Sequence, residues 1–131
     1  MLLATLLIVA NNDFLRRTLG WWLKMKFPEY EVVEAAGEEN IIDLLQSYSP
    51  RVVILDTTLP KSNPEIISRI RATSPAVKIV GLTFREDEIG YANAASNGVN
   101  VYISHEKIQS TLQPALAKLL ADHRDGFNEH T

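Results

Sequence analysis

Seven residues whose side chains could do chemistry stand in or just past short apolar runs. Asn11, Asn12 and Asp13 follow the run ending at Ala10, Asp56 follows Val52-Val53-Ile54-Leu55, and Thr83 follows Ile79-Val80-Gly81-Leu82; Tyr102 and His105 lie within and just after Val99–Ile103. Carboxylate and amide oxygens can ligate a hard divalent cation, and a hydroxyl or imidazole N–H can donate one hydrogen bond to an anion. Each residue also has a plainer use. The two asparagines can stabilise a strand-to-helix turn, and Asp13 can cap or charge a helix N-terminus. Asp56 can cap a turn, Thr83 can end a strand, Tyr102 can be a half-buried aromatic and His105 a surface histidine. Other chemistries are excluded. There is no cysteine, hence no disulfide, thiolate nucleophile or cysteine zinc site. The three scattered histidines have no metal-ligand spacing. No glycine-rich phosphate loop, Ser/His/Asp order or paired general acid and base is visible.

The elements that must position these groups alternate along the chain. Strands are expected at Leu3–Ala10, Glu31–Ala35, Val52–Asp56, Lys78–Leu82 and Val99–Ile103, as apolar, partly β-branched runs of the kind covered on both faces of a parallel sheet. A first helix carries Leu15, Leu19, Trp22 and Leu23 inward and Arg16, Arg17 and Lys24 on the other side, ending before Pro28. Ile41, Leu44, Leu45 and Tyr48 mark a second, closed by Ser49-Pro50. A third starts near Pro64 with Ile66, Ile67 and Ile70, and stops before Ser74-Pro75. A fourth is expected over Asp87 to Ser96 on Ile89, Ala92 and Ala95, weakened by Gly90 at a cost of roughly 1 kcal/mol and stopped at Asn97-Gly98. A fifth carries Leu112, Leu116, Leu119 and Leu120, and tolerates Pro114 only if it begins near Ser110. Five strands alternating with five helices imply an α/β fold, a doubly wound five-stranded parallel sheet in a three-layer sandwich. Such sheets bind at the carboxyl ends of their strands, near the topological switch point.

Bulk properties agree with one globular domain. The 131 residues are 46% hydrophobic and 22% charged, with formal net charge -3, which gives no electrostatic case for direct nucleic-acid binding. Residues 1–121 are expected to form the domain, and 122–131 a polar, frayed tail or the start of a linker. The opening apolar run is too short to span a bilayer and reads as a buried strand, so the cytoplasm is the expected location and no membrane partner is expected. Trp21 lies beside the inward Trp22 and points partly outward, either as an interface anchor or packed under the C-terminal helix.

The ordered set Ile8-Val9-Ala10-Asn11-Asn12-Asp13, Val52 to Pro60, Ile79-Val80-Gly81-Leu82-Thr83 and Gly98 to His105 resembles the receiver domain of two-component response regulators, over nearly the whole chain. The resemblance implies a flavodoxin-like (CheY-like) fold, with Asp56 at the phosphoacceptor position, Thr83 and Tyr102 at the switch positions, and a histidine kinase or downstream protein as partner. The chain departs from that family at three places. Asn11 and Asn12 replace the acidic pair, and His105 replaces the lysine. Phosphoryl transfer to an aspartate sets a carboxylate against an anionic phosphate, and receivers offset this with Mg²⁺ and an ammonium. A unit-charge pair at ~4 Å is worth about 4 kcal/mol at an effective dielectric near 20. An amide supplies only a dipole, and an imidazole titrates near neutrality and is not a permanent cation. The remaining carboxylates, Asp13 and Asp56, leave weak Mg²⁺ binding as the expectation and no other cofactor.

Three functions follow for comparison. The first is an atypical receiver, or pseudo-receiver, that acts by protein–protein interaction with weak or no Mg²⁺-dependent phosphorylation. The second is a working phosphoacceptor, modified on Asp56 by a histidine kinase, with Asp13 and Asn12 sharing the metal; this domain would then be part of a DNA-binding transcriptional regulator. The third, a small enzyme or nucleotide binder on the same fold, is disfavoured by the missing phosphate-cradling loop. Homodimerisation is compatible with the first two.

Overall fold

The computed structural model describes residues 3–56, 64–89 and 98–129. Within them, five strands form one parallel sheet. They are β1 (Ala4–Val9), β2 (Tyr30–Ala35), β3 (Val52–Asp56), β4 (Lys78–Thr83) and β5 (Val101–Ser104), in the order β2-β1-β3-β4-β5. The helices are α1 (Asp13–Lys26), α2 (Ile41–Tyr48), α3 (Pro64–Thr73) and α4 (Ile108–Glu129), with 3₁₀ turns at Glu38–Asn40, Glu86–Glu88 and His105–Lys107.

The continuous apolar runs are explained by burial on both sheet faces. Leu6, Ile8, Val52, Ile54, Val80, Leu82 and Ile103 pack on one face with Leu19 and Leu23 of α1 and Leu112, Leu116 and Leu120 of α4. Leu7, Val9, Val53, Leu55 and Ile79 pack on the other with Ile41 and Leu45 of α2 and Ile66 and Ile70 of α3. Period-2 alternation along β1 and β3 therefore feeds two cores at once. This is the doubly wound three-layer sandwich expected from the sequence.

Several local expectations need correcting. β5 starts at Val101 rather than Val99 because the Asn100 side chain intervenes. Its Oδ1 accepts from the Ile79 amide at 2.8 Å, and its own amide donates to the Ile79 carbonyl at 2.9 Å. Arg71 of α3 fixes this corner by donating to Asn100 Oδ1 (2.7 Å) and to the carbonyls of Gly98 and Val77. Tyr48, expected on the inner stripe of α2, is 42% exposed. It occupies the last turn, where Ser49 turns left-handed (φ 46) and ends the helix.

Pro114 lies well inside α4, which starts at Ile108. The Ser110 carbonyl that loses its partner sits on the exposed side, where water can satisfy it. The backbone of α4 runs on to Glu129. Of the expected fourth helix, the described part is the turn Glu86–Glu88 and Ile89; residues 90–97, including Gly90, Ala92 and Ala95, lie outside the described residues.

Candidate functional site

The strand order reverses direction between β1 and β3, so the crevice belongs at their carboxyl ends. Register sets the groups beside it. Val9 pairs with Leu55, Asp56 with Leu82, and Thr83 with Ser104. Asn11 and Asn12 leave β1, Asp56 ends β3, Thr83 ends β4, and His105 follows β5. The fold thus brings the expected residues to one edge of the sheet.

At β1 the side chains are already committed. Asn12 is the N-cap of α1, its Oδ1 accepting from the Leu15 amide at 2.8 Å. Asn11 is exposed. Asp13 opens α1, is 72% exposed, and accepts from Arg16 at 2.6 Å. The Arg16 hydrogen bond and charge hold the Asp13 carboxyl below its ordinary pKa.

Arg16 overturns its expected outward placement. Its side chain is 11% exposed and donates to the Ala10 carbonyl at 2.9 Å, while Nε lies 3.5 Å from Glu34 of β2. Arg16 shares the buried face of α1 with Leu19, Gly20 and Leu23, and its long side chain reaches the end of β1. Gly20 keeps that space open, since a Cβ there would come within 2.7 Å of Glu34 Oε2.

Across the crevice, Asp56 is 3% exposed. His105 Nε2 approaches Asp56 Oδ1 to 3.4 Å, with the imidazole side chain 24% exposed. That nitrogen is buried, and among the described residues it has no partner in hydrogen-bond geometry. We read the contact as electrostatic proximity rather than as a formed hydrogen bond, because 3.4 Å is long for N–H···O. Phe84, 62% exposed, lies over His105 with ring centroids 5.9 Å apart. Sequence reasoning did not single out Phe84, and only its place next to Thr83 could have drawn attention to it.

Thr83 is buried, and its hydroxyl donates to the Arg85 carbonyl at 3.1 Å. Tyr102 is half-buried opposite Gly81. Ser104 Oγ is fully buried with no hydrogen-bond partner among the described residues. The segment 57–63, which carries the expected Thr57-Thr58-Leu59-Pro60 loop, lies outside the described residues. A cavity of about 350 Å³ lies at the amino ends of β3 and β4, lined by Ser49–Arg51 and Ser74–Val77, and holds none of the groups above.

A Mg²⁺ ion needs oxygen ligands in near-octahedral array with anionic charge among them. The described residues do not fit it. The Asn12 oxygen serves the helix cap, the Asp13 carboxylate faces Arg16, and the carboxylate of Asp56 has an imidazole nitrogen beside it. Among the described residues, no group of three or more His, Asp or Glu side chains could hold a metal ion. Asp56 is a buried carboxylate with the His105 imidazole beside it.

Comparison with known proteins identifies the family. The family model described as the response regulator receiver domain matches residues 6–117. The transcriptional regulatory protein DegU of Brevibacillus brevis is 31% identical over 104 residues, covering 77% of this chain and 43% of that protein. The nitrate/nitrite response regulator protein NarL of Escherichia coli K12 is 28% identical over 120 residues, covering 90% of this chain and 55% of that protein. The chain thus spans about half the length of these relatives. In fold it matches the signal receiver domain of a DNA-binding response regulator from Colwellia psychrerythraea 34H, with TM-score 0.77 at 20% identity over 90% of this chain and 98% of that one. No helix among the described residues is long and apolar enough to cross a membrane.

Proposed function

The chain belongs to the response-regulator receiver family of two-component signalling, and from that membership we propose that it is an atypical receiver, signalling by protein–protein contact with little or no Mg²⁺-dependent phosphorylation of Asp56. The observation that carries this reading is the occupancy around Asp56. His105 stands 3.4 Å from it, and the oxygens of Asn12 and Asp13 are engaged in α1. Forming an acyl phosphate there would gather a dianionic group without the two carboxylates that hold Mg²⁺ in the family pattern, and without a permanent ammonium.

In this reading Asp56 is the phosphoacceptor position, and Thr83 and Tyr102 are the switch positions. The Thr83 hydroxyl, turned to Arg85, favours a fixed loop. The domain is not an enzyme and does not itself touch nucleic acid. It acts in the cytoplasm on a downstream protein or effector domain.

The test is labelling with a radioactive small phosphodonor, with and without Mg²⁺, comparing the native chain with Asp56→Asn. Negligible incorporation in both is expected. Stoichiometric, Mg²⁺-dependent incorporation that Asp56→Asn abolishes would overturn the reading.

A second reading rests on the retention of Asp56 itself, 3% exposed at the end of β3. Here a histidine kinase phosphorylates it slowly, as part of a DNA-binding regulator like the relatives above. Signalling in cells that survives Asp56→Asn rules this second reading out.

A further inference from the structure

The cavity at the amino ends of β3 and β4 takes no part in the crevice beside Asp56. Its walls come from one sequence pattern used twice. α2 ends before Ser49-Pro50 and α3 before Ser74-Pro75, and a strand starts within three residues of each proline. Proline pushes the residue before it out of the helical region, which leaves a gap beneath the last turns of both helices. The connectors are fixed without an occupant. The Ser49 amide donates to the Leu45 carbonyl at 3.0 Å, the Ser74 amide to the Ile70 carbonyl at 2.8 Å and the Val77 amide to the Ser74 carbonyl at 3.2 Å. The Lys78 amide donates to the Arg51 carbonyl at 3.0 Å and ties one connector to the other. The cavity of about 350 Å³ is therefore preformed, and it has the size of small-molecule sites.

Charge says what fits it. Pro50, Pro75, Ala76 and Val77 make most of the lining apolar, and Ser49 and Ser74 add hydroxyls. Arg51 is the one charged side chain there, and among the described residues no acid lines the cavity. Val52 packs on the α1–α4 face of the sheet and Val53 on the α2–α3 face, so strand alternation turns Arg51 toward the cavity. Two arginines at this end of the molecule are used differently. Arg71 donates to Asn100 Oδ1 and to the carbonyls of Gly98 and Val77. Arg51 is half-buried, and its guanidinium has neither a salt bridge nor a hydrogen bond to any described residue. The plain use of a cation here is to meet carbonyls at a helix C-terminus, and Arg51 donates to none of them. A planar fork of donors beside apolar walls matches a carboxylate attached to an apolar body.

We propose that this cavity binds a small amphiphilic carboxylate, a short acyl chain or a single ring bearing one acid group. The Arg51 guanidinium takes the carboxylate as a forked pair, and the two prolines, Ala76 and Val77 cover the apolar body. The site lies at the opposite ends of β3 and β4 from Asp56 and Thr83, a strand length of roughly 15 Å. It does not depend on the fate of Asp56.

The experiment titrates the native chain with benzoate and hexanoate at fixed ionic strength, alongside benzamide and benzylamine, which keep the ring and change the charge. Backbone amide shifts map the site. Benzoate is expected to move the amides of Ser49, Arg51, Ala76 and Val77 and to leave those of residues 10–13 and His105 in place. Its dissociation constant should be about a millimolar, an ordinary efficiency for so small a ligand. Arg51→Gln should weaken benzoate roughly tenfold, the share of a charge-assisted pair, and leave benzamide unchanged; Arg51→Lys should fall between. Ala76→Trp fills the cavity from an exposed position and should abolish binding. Unchanged thermal midpoints are expected to show that these variants fold. Benzamide binding as well as benzoate, undiminished benzoate binding in Arg51→Gln, shifts elsewhere on the domain, or no titration by either acid would overturn the proposal. So would tighter binding of benzylamine, which would assign the cavity to the carbonyl ends of α2 and α3. A peptide with a free C-terminal carboxylate that binds more tightly than any small acid would overturn it too. Benzoate binding is expected to be the same in Asp56→Asn. Phosphorylation of Asp56 would therefore sink the reading of its crevice while leaving this cavity standing, and a failed titration would do the reverse.

Discussion

Restoring the two carboxylates should restore metal binding, and the structure allows the change with little collateral damage. In Asn11→Asp/Asn12→Asp, the first position is exposed and the second is an N-cap, where Asp serves about as well as Asn. Neither substitution removes a core contact. A unit-charge pair at ~4 Å is worth about 1 kcal/mol in water and about 4 kcal/mol at an effective dielectric near 20. Exposure of both side chains puts this site toward the lower figure, and ligand desolvation takes a further share. Counting each carboxylate at about 1.4 kcal/mol, the pair should raise Mg²⁺ affinity about a hundredfold. The readout is the Mg²⁺ concentration at which amide shifts of residues 10–13 and Asp56 saturate, in the native chain and the variant. Adding His105→Lys should then permit labelling of Asp56 by a small phosphodonor. If the double variant folds and binds Mg²⁺ no better than the native chain, the electrostatic account of the crevice is wrong.

The remaining expectations concern the supports of the site. Asn12→Ala removes the cap on Leu15 and should cost about 0.5–2 kcal/mol in urea unfolding, whereas Asn12→Asp should be near neutral. Gly98 has φ 119, and a Cβ there would meet Arg71 at 3.1 Å. Gly98→Ala should therefore destabilise by more than about 1 kcal/mol, with the largest amide shifts in β5. Asp13 has its pKa lowered by Arg16, so its contribution to stability is present above the unfolded-state pKa and is lost as pH falls through the lower, folded value. In Arg16→Ala, the Asp13 carboxyl followed by NMR should titrate at higher pH and that part of the acid dependence should vanish. Phe84→Ala removes an exposed ring and should change stability by less than about 0.5 kcal/mol, while shifting the His105 imidazole resonances.

The parallel sheet was legible because its strands are buried on both faces, which writes them as unbroken runs such as Val52–Leu55. Helical phase likewise placed Trp22 inward and Trp21 outward. What escaped depends on reach and on loops. On a helical wheel Arg16 shares the face of Leu19, Gly20 and Leu23 at i+3, i+4 and i+7; its charge suggested the outer side, and no wheel says that its guanidinium will span to Ala10 and Glu34. The β5 boundary moved because a side-chain amide, Asn100, substitutes for backbone pairing, a competition local pattern does not register. Chain order brought Asp56 and His105 to one edge. That the imidazole approaches the carboxylate to 3.4 Å, under Phe84, follows from two loops whose approach no periodicity encodes.

Under the proposed reading, the three departures at the crevice belong together. A receiver with an acidic pair, an aspartate and a lysine carries three negative charges against one positive, and Mg²⁺ supplies what is missing. Replacing one acid alone would weaken the metal site yet leave buried like charges to repel. With Asn11 and Asn12 in place of both, Asp56 is the one carboxylate of the three that remains, and the His105 imidazole stands 3.4 Å from it. The permanent charge of a lysine is then no longer required, because no dication or phosphoryl group has to be accommodated. The asparagines are free to cap and solvate the start of α1, as Asn12 does, and the crevice becomes a fixed part of the scaffold rather than a reaction vessel. A domain altered in this way would keep its surfaces and lose its timing signal. Its output would then have to be set by how much of its partner is present, or by how tightly the partner is held.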